Sequence, residues 1–248
     1  MDKVLLVTGG GRGIGAATAR LAAQAGWAVA VNYTANSLAA DEVVRAIRAE
    51  GGQAMSVRAD VADEAQVMAM FDRIDAKFGR LTGLVNNAGV VDVSARIDQM
   101  DVARWRRMFD INVLGSFLCA REAVRRMSTR HGGEGGAIVN VSSAAARLGA
   151  PGQYVDYAAA KAAIDAFTIG LAKEVGGEGI RVNAVRPGLI ETDIHASGGL
   201  PNRVRDLQHQ VPMGRGGRAD EVAQAIVWLL SDAASYTTMA LLDVSGGR

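Results

Sequence analysis

Short runs of aliphatic and β-branched residues alternate with longer amphipathic segments along the whole chain, and this alternation limits the folds open to it. The short runs indicate strands at Val4–Val7, Ala28–Val31, Ala54–Val57, Leu84–Asn86, Ala137–Val141, Arg181–Val185 and Ala240–Val244. The longer segments indicate helices at Ile14–Ala25, Ala39–Glu50, Glu64–Phe78, Val102–Met127, Tyr154–Val175 and Asp220–Leu230. Apolar strands separated by helices predict a parallel sheet covered on both faces. Right-handed crossovers then give a doubly wound α/β fold.

The length and composition fit one domain. The chain has 248 residues, of which 49% are apolar and 21% charged, as in a globular protein. The glycine-rich segment His131–Gly136 is the nearest candidate for a hinge, but six residues between a helix and a strand favour an exposed turn. We therefore predict a single Rossmann-type domain over residues 1–248, with a mostly parallel seven-stranded sheet. The irregular stretch Gly188–Arg218 follows a strand and is the expected substrate loop.

Charge and cysteine content exclude several classes of function. A formal net charge of +1 gives no electrostatic signature of nucleic-acid or membrane binding. Cys119 is the only cysteine, so no intramolecular disulfide is possible, and its apolar surroundings favour a buried structural thiol. No run approaches the ~18 apolar residues of a membrane span. The segment Met1–Thr8 leads directly into a glycine-rich loop, so we expect no signal peptide and a cytoplasmic location. No metal site is expected.

A glycine-rich loop follows the first predicted strand and precedes the first helix. It reads Thr8–Gly15, with Gly9, Gly13 and Gly15 spaced as G-x-x-x-G-x-G and Ile14 between the last two. Glycines let the backbone approach a pyrophosphate, and the helix N-terminus supplies unpaired N–H groups. Such turns are common in α/β folds, but this position favours a dinucleotide site.

The end of the second strand bears on the choice of dinucleotide. Its residues Asn32 and Tyr33 include no carboxylate. A carboxylate at this position would bind a ribose 2′-hydroxyl and repel a 2′-phosphate. Arg12, in the glycine-rich loop, supplies a cation that can reach such a phosphate. Both features favour NADP, with NAD the less favoured cofactor. The alternative is that Arg12 is a solvated loop charge.

Two further strand ends carry residues suited to the same ligand. Asp60 and Val61 follow the third strand and could meet an adenine edge. Asn87, Ala88 and Gly89 end the fourth strand, where small residues let the backbone meet a ribose. Each group could also be ordinary turn chemistry. Their shared position at strand carboxyl ends favours the ligand interpretation.

Tyr157 and Lys161 are four residues apart in a predicted helix and therefore share one of its faces. A free tyrosine has a pKa near 10, and a nearby ammonium is expected to lower it towards the working range of an acid–base catalyst. Ser143 ends the preceding strand and could hold a substrate oxygen, with Ser142 as the neighbouring alternative. The pair could also be exposed on an amphipathic helix.

Taken in order, these motifs resemble those of the short-chain dehydrogenase/reductase family over essentially the whole chain. The motifs are Thr8–Gly15, Asp60, Asn86–Gly89, Asn112, Ser143, Tyr157 with Lys161, Pro187-Gly188 and Thr192. The resemblance implies a catalytic tetrad of Asn112, Ser143, Tyr157 and Lys161. Tyr157 would exchange the proton of the reacting oxygen, Ser143 would orient that oxygen, and Lys161 would hold the nicotinamide ribose.

The resemblance implies further contacts and an assembly. Asn112 would anchor a water that links Lys161 to solvent. Nicotinamide contacts would come from Pro187, Gly188, the backbone near Ile190, and Thr192. Relatives form dimers and tetramers through helices such as the two longest ones here, so a homo-oligomer is expected. One departure stands before the last strand, where Thr237-Thr238-Met239 replaces the commoner Val-Thr-Gly.

The resemblance also implies the reaction class but not the substrate. The expected function is NADP(H)-dependent hydride transfer between nicotinamide and a small-molecule carbonyl or secondary alcohol, as in bacterial glucose dehydrogenase-like oxidoreductases. The alternatives are 3-oxoacyl-carrier-protein reduction and a non-catalytic NADP-binding regulator. A basic cluster at Arg125, Arg126 and Arg130 could dock an acidic carrier protein, but a solvated helix face is favoured. His195 could touch a polar substrate, although a solvated loop histidine is favoured. The substrate pocket is expected to draw on Val91–Arg96, Ser143–Tyr154 and Gly188–Leu200.

Overall fold

A computed structural model describes residues 3–192 and 198–248. In this part of the chain seven strands form one sheet in which every pairing is parallel. The strands are β1 (Val4–Val7), β2 (Ala28–Tyr33), β3 (Ala54–Arg58), β4 (Gly83–Asn86), β5 (Gly136–Val141), β6 (Ile180–Pro187) and β7 (Leu241–Val244). Their order is β3-β2-β1-β4-β5-β6-β7. The predicted doubly wound fold is confirmed.

The helices of the described chain cover both faces of this sheet. They are α1 (Gly13–Gln24), α2 (Ser37–Ala49), α3 (Glu64–Phe78), α4 (Val102–Phe109), α5 (Gly115–Met127), α6 (Ala145–Leu148), α7 (Val155–Val175), α8 (Arg203–Leu207) and α9 (Ala219–Leu230). One apolar core lies under α1, α2 and α9, and a second lies under α3, α5 and α7. In the described residues, no helix is both long and apolar enough to cross a membrane.

Two elements differ from their predicted bounds in ways that shape the site. The predicted helix Val102–Met127 is interrupted by a π-helical turn over Asp110–Leu114. The strands β2 and β6 run two residues beyond their predicted ends, to Tyr33 and Pro187. These extra residues reach the carboxyl edge of the sheet. Because β1 and β4 are neighbours from which the chain winds in opposite directions, a crevice opens between them at that edge.

Candidate active site

A cleft of about 880 Å³ opens at this carboxyl edge. Its volume lies within the range of roughly 300–1,000 Å³ that is typical of small-molecule sites. Of the residues predicted for cofactor binding or catalysis, all but Gly15 and Asn112 line it. The fold therefore brings residues from the two halves of the chain to one cavity.

The glycine-rich loop passes very close to the first turn of α1. Gly9 and Gly13 have φ angles of +60° and +53°, a region that L side chains rarely adopt. A Cβ at Gly15 would lie 2.5 Å from the Gly9 carbonyl oxygen, so Gly15 supports the loop from behind the cleft. Arg12 caps α1 without a side-chain hydrogen bond, and the first turn holds no acidic residue. The first N–H groups and the positive end of the helix are thus free to meet a phosphate.

Asn87 ties this loop to the end of β4. Its Nδ2 donates to the carbonyl oxygens of Thr8 at 2.9 Å and Gly9 at 3.1 Å. The Thr8 hydroxyl in turn accepts the backbone N–H groups of Asn87 and Ala88, each at 2.9 Å. Asn87 therefore acts as a brace, while Ala88 and the following Gly89 present backbone to the cleft.

The adenosine end of the cleft holds the residues that bear on cofactor choice. Asn32 is buried and its amide is fully used: Oδ1 accepts the Gly9 N–H at 3.2 Å, and Nδ2 donates to the Ala59 carbonyl at 3.0 Å. Asn32 thus positions the loop with its side chain. The Arg12 side chain is exposed and forms no hydrogen bond or ion pair with any described residue. Arg58 brings a second cation nearby, since its Nε donates to the Thr34 carbonyl at 3.2 Å.

Asp60 and Val61 follow β3 at the same end. One Asp60 oxygen accepts the Ala62 N–H at 3.0 Å, and the Asp60 N–H donates to Gln66 at 3.0 Å. The second carboxylate oxygen of Asp60 and the Val61 N–H have no partner among the described residues. One acceptor and one donor side by side match the edge of an adenine ring.

Ser143, Tyr157 and Lys161 meet in the middle of the cleft. The Ser143 side chain interacts with the Tyr157 hydroxyl in the sense that lowers the pKa of the phenol. Lys161 Nζ lies 5.6 Å from the centre of the Tyr157 ring and donates to the Val141 carbonyl at 2.8 Å. Ser142 is buried and donates instead to the Lys161 carbonyl at 3.1 Å. Of the two candidate serines, Ser143 is therefore the one that faces Tyr157.

Burial dominates the protonation of this group. Burial raises the pKa of Tyr157 to about 12, and the hydrogen bond from Ser143 opposes this only in part. Burial also lowers the pKa of Lys161 to about 8, although the charge of Asp165 acts in the opposite direction. The expectation that Lys161 depresses the Tyr157 pKa is thus wrong for the protein alone. The physical reason is that both groups are desolvated, which disfavours the charged form of each.

Asn112 is buried inside the π-helical turn and does not line the cleft. Its Nδ2 donates to the carbonyl oxygens of Met108 at 2.9 Å and Val90 at 3.1 Å, and its Oδ1 accepts the Val90 N–H at 3.2 Å. A Cβ on Gly89 would lie 2.7 Å from Asn112 Oδ1 and 3.5 Å from Lys161 Nζ. Asn112 thus stands behind Gly89, close to Lys161, and holds the segment after β4 in place.

The segment after β6 folds over the glycine-rich loop. Gly188 donates its N–H to the Val244 carbonyl at 3.1 Å, and a Cβ there would lie 2.8 Å from Ser245 Cα, so only glycine fits. The Thr192 methyl lies 3.2 Å from the position of a Cβ on Gly13. The predicted nicotinamide-contacting residues therefore close the cleft opposite the start of α1.

Comparison with known proteins shows which family has this fold and these motifs. A family model described as "Enoyl-(Acyl carrier protein) reductase" matches residues 9–248. A solved short-chain dehydrogenase/reductase from Serratia marcescens, a double mutant with two phenylalanines replaced by tyrosine, superimposes with a TM-score of 0.91 at 33% identity, over 99% of this chain and 97% of the other. The chain belongs to the short-chain dehydrogenase/reductase family. It is therefore an oxidoreductase of the family that transfers hydride with a nicotinamide dinucleotide.

Relatives within the short-chain dehydrogenase/reductase family act on different substrates. "Uncharacterized oxidoreductase YgfF" of Escherichia coli K12 is 56% identical over 99% of both chains. "Cis-4-hydroxycyclohexanecarboxylate dehydrogenase" of Sinomonas cyclohexanicum is 47% identical over 99% of this chain and 96% of the relative. A "3-oxoacyl-[acyl-carrier-protein] reductase" of Synechocystis is 40% identical over 99% and 96%. The predicted resemblance is confirmed at the level of the family.

A buried ion pair that the motifs did not reveal lies next to Tyr157. Arg104 of α4 donates from Nε to Asp156 at 2.7 Å and from Nη2 at 3.2 Å, while its Nη1 donates to the Val93 carbonyl at 2.6 Å. The second Asp156 bond uses Oδ1, which also accepts the Tyr157 N–H at 3.0 Å. The pair thus connects the loop after β4 to the start of α7. In the sequence, Arg104 and Asp156 are 52 positions apart and no local pattern links them.

Arg203 and Arg248 also line the substrate end of the cleft without having been predicted. Arg203 Nη1 donates to Gln153 at 2.6 Å, and its guanidinium lies 5.3 Å from the centre of the Tyr154 ring. Arg248 donates to Gln210 at 3.1 Å. An arginine at the start of a short helix and one beyond the last strand carry no sequence signal for a site, so only the tertiary structure brings them together.

The remaining candidates outside the tetrad have structural explanations or lie outside the described residues. Arg126 bonds Asp75 at 2.6 Å, while Arg125 bonds Glu122 and Arg130 bonds Glu178. The basic cluster is therefore paired with carboxylates, as the solvated-face interpretation requires. His195 lies outside the described residues. Met239, where the family resemblance led us to expect glycine, adopts a φ of +65°. The backbone therefore keeps its glycine-like conformation despite the substitution.

Proposed function

We propose that the protein is an NADP(H)-dependent oxidoreductase that interconverts a small carbonyl compound and its secondary alcohol, with Tyr157 as the acid and base. The observation that carries this proposal is the grouping of Ser143, Tyr157 and Lys161 in the cleft that the glycine-rich loop also lines, with Lys161 Nζ 5.6 Å from the centre of the Tyr157 ring. A module that only bound the dinucleotide would need the loop but not this second group.

The residues around the reacting oxygen divide the work among themselves. The bound nicotinamide supplies or accepts the hydride. In reduction, Tyr157 gives its hydroxyl proton to the carbonyl oxygen while Ser143 holds that oxygen by a hydrogen bond. The high pKa of Tyr157 keeps it protonated for this step. In oxidation, the tyrosine takes the proton back.

Lys161 and Asn112 support this centre. One Lys161 N–H is fixed on the Val141 carbonyl, which leaves donors to hold the ribose next to the nicotinamide. Asn112 fixes the backbone beside Lys161, where a water could connect the ammonium to solvent. A proton delivered along this route would restore Tyr157 after each reduction.

The preference for NADP rests on charge at the adenosine end. Arg12 has no described partner, and Arg58 lies close to the end of β2. The residues Asn32 and Tyr33 carry no negative charge that would repel a 2′-phosphate. Asp60, with one free carboxylate oxygen and the Val61 N–H beside it, is placed to bind the adenine. Backbone of Ala88, Gly89 and Gly188 would then meet the sugars.

The test measures oxidation of NADPH and NADH with a panel of sugars, diketones, quinones, oxo acids and 3-oxoacyl thioesters. Turnover is expected with NADPH and should be lost in Tyr157→Phe.

Arg12→Ala should raise the KM for NADPH about tenfold or more and leave the KM for NADH unchanged, since a charge-assisted hydrogen bond contributes about 1.5–3 kcal/mol. Arg20→Ala is the matched control, because Arg20 is exposed on α1 and does not line the cleft. Turnover that survives in Tyr157→Phe would refute the assigned role. Tight NADPH binding with no turnover would favour a regulator.

Reduction of 3-oxoacyl groups on a carrier protein is the second candidate. The description of the matching family model and the relative from Synechocystis favour it. The pairing of Arg125, Arg126 and Arg130 with carboxylates weakens the case for a basic docking face there. Higher kcat/KM with a carrier-bound 3-oxoacyl group than with its short free thioester would favour this candidate.

The exposed apolar surface supports assembly into a homo-oligomer. Phe117 of α5 is 43% exposed and stacks on Phe167 of α7 with ring centres 3.8 Å apart. Phe109 and Leu114, on the same stretch of chain, are also exposed. Sedimentation should show a dimer or tetramer that Phe117→Glu dissociates, whereas a monomeric unaltered protein would refute the proposal.

A further inference from the structure

The cleft has an uneven distribution of charge along its length. Among the described residues that line it, Asp60 is the acidic one, and it lies at the adenosine end. The cations are Arg12 at that end, Lys161 in the middle, and Arg203 and Arg248 at the substrate end. Among the described residues that line it, the substrate end therefore has two guanidinium groups and no acidic side chain.

Arg203 differs from other arginines of low exposure in the hydrogen-bond partners of its guanidinium. Arg104 and Arg186 each meet a carboxylate, and Arg181 donates to the carbonyl oxygens at the end of α9. Arg203 is half-buried, and the one hydrogen bond of its guanidinium to a described residue runs from Nη1 to the neutral Gln153. A guanidinium has five N–H donors, so most of those of Arg203 lack a protein acceptor there.

The environment of Arg203 makes an uncompensated charge costly. Burial lowers the pKa of its guanidinium, and the nearby charge of Arg248 lowers it further. The Tyr154 ring, 5.3 Å away, provides only partial stabilisation of the cation. A bound anion would relieve both the desolvation of Arg203 and its repulsion by Arg248.

The position of Arg203 relative to the tyrosine defines where such an anion would sit. Its partners Gln153 and Tyr154 lie just before the start of α7, four and three residues before Tyr157, which stands in the first turn of that helix. Apolar side chains, among them Val91 and Leu148, line the same part of the cleft. The anionic group and the reacting carbon would therefore lie at opposite ends of a small apolar skeleton.

We propose that Arg203, assisted by Arg248, binds the carboxylate of the substrate, which is an oxo acid or hydroxy acid with an apolar skeleton. A guanidinium presents paired donors that match the two oxygens of a carboxylate. The inference rests on the proposed function, because that function places the reacting carbon at Tyr157. It adds the chemical class of the substrate and the residues that select it.

The first test measures binding without turnover. Cyclohexanecarboxylate and the neutral cyclohexanecarboxamide are titrated into the protein saturated with NADPH, and the cofactor fluorescence is followed. The acid is expected to bind about tenfold or more tightly than the amide, because a hydrogen bond to a charged group is the stronger one. This ratio should fall to near one in Arg203→Gln and be partly retained in Arg203→Lys. Since both ligands are compared within each variant, a loss of folded protein does not change the ratio.

The control and the second test separate this inference from the proposed function. Arg205→Gln should leave the ratio unchanged, because Arg205 lies on the same short helix but is exposed and pairs with Asp206. Turnover of 4-oxocyclohexanecarboxylate should exceed that of its carboxamide in the unaltered protein and in Arg205→Gln, but not in Arg203→Gln. Equal affinity for acid and amide, no measurable binding of the acid, or an unchanged preference in Arg203→Gln would overturn the inference. Tyr157-dependent turnover of neutral ketones alone would retain the proposed function and discard the inference. A preference for binding the acid, with no turnover of any substrate, would retain the inference and discard the proposed function.

Discussion

Asp156→Ala would remove one partner of the buried ion pair that holds the catalytic helix. The side chains of Arg104 and Asp156 are only 11% and 2% exposed, so water can replace little of what is lost. The substitution breaks two bonds from Arg104 and leaves the Tyr157 N–H without its side-chain acceptor. Removing one member of a buried pair typically costs about 3–5 kcal/mol. Because Arg104 keeps its bond to Val93, we expect a loss near the lower end, about 3 kcal/mol in the free energy of unfolding.

Urea denaturation at one fixed protein concentration measures this loss, since oligomerisation would otherwise shift the midpoint. The matched control is Arg107→Ala, on the same helix as Arg104. The side chains of Arg107 and its partner Asp92 are 56% and 26% exposed. This control should cost at most about 1 kcal/mol. The double variant Arg104→Met/Asp156→Leu should recover much of the stability, because it leaves no unpaired charge. A loss in Asp156→Ala no larger than that of the control would refute the reasoning.

The same variant also tests whether the pair positions Tyr157. Asp156 touches neither substrate nor cofactor in the proposed mechanism, so it is a positioning residue. We expect kcat to fall while the KM for NADPH stays unchanged, because the glycine-rich loop is far from this contact. Asp156→Asn keeps an acceptor for the Tyr157 N–H and should retain more of kcat than Asp156→Ala. Equal kcat in the two variants would argue against a positioning role.

Three further outcomes are expected. Gly15→Ala places a Cβ 2.5 Å from the Gly9 carbonyl oxygen and should weaken NADPH binding at least about tenfold, as measured by fluorescence titration. The control Gly170→Ala should leave the affinity unchanged, because no atom lies within 4 Å of its Cβ position. Equal affinity for NADPH in the two variants would refute the packing argument. Met239→Gly should stabilise the protein by about 0.5–1 kcal/mol in urea, because it relieves a φ of +65° at a partly exposed site, and a loss of stability would contradict this. The pKa of Tyr157 is raised to about 12 and that of Lys161 is lowered to about 8, so both groups keep their protons below about pH 8. Carbonyl reduction should therefore stay nearly constant with pH below that value while alcohol oxidation rises, and reduction that falls within this range would contradict the assignment.

The sequence alone determined the fold and the residues of the tetrad that meet locally. Parallel strands buried on both faces leave a clear apolar pattern, and helices on such a sheet show their own period, so the order of elements could be predicted. The glycine-rich loop could be predicted because backbone that passes within van der Waals distance of a helix requires glycine. Tyr157 and Lys161 could be paired because residues four apart share a helix face.

Only the tertiary structure decided how these residues are charged and what else surrounds them. Burial, which depends on packing from every side, raises the pKa of Tyr157 and reverses the expectation drawn from Lys161 alone. The π-helical turn that buries Asn112 depends on partners at Met108 and Val90, and no periodicity in the sequence marks it.

The substrate end of the cleft shows most clearly what could not be predicted from the sequence. Arg203 meets a glutamine 50 positions away and lies near Arg248, in a cleft assembled from several loops. Contacts of this kind form between segments that are distant in sequence, and their geometry is set by loops that carry no repeating pattern. The sequence could therefore determine the chemistry at the centre of the cleft, while the groups that select a substrate became visible only when the folded chain placed them there.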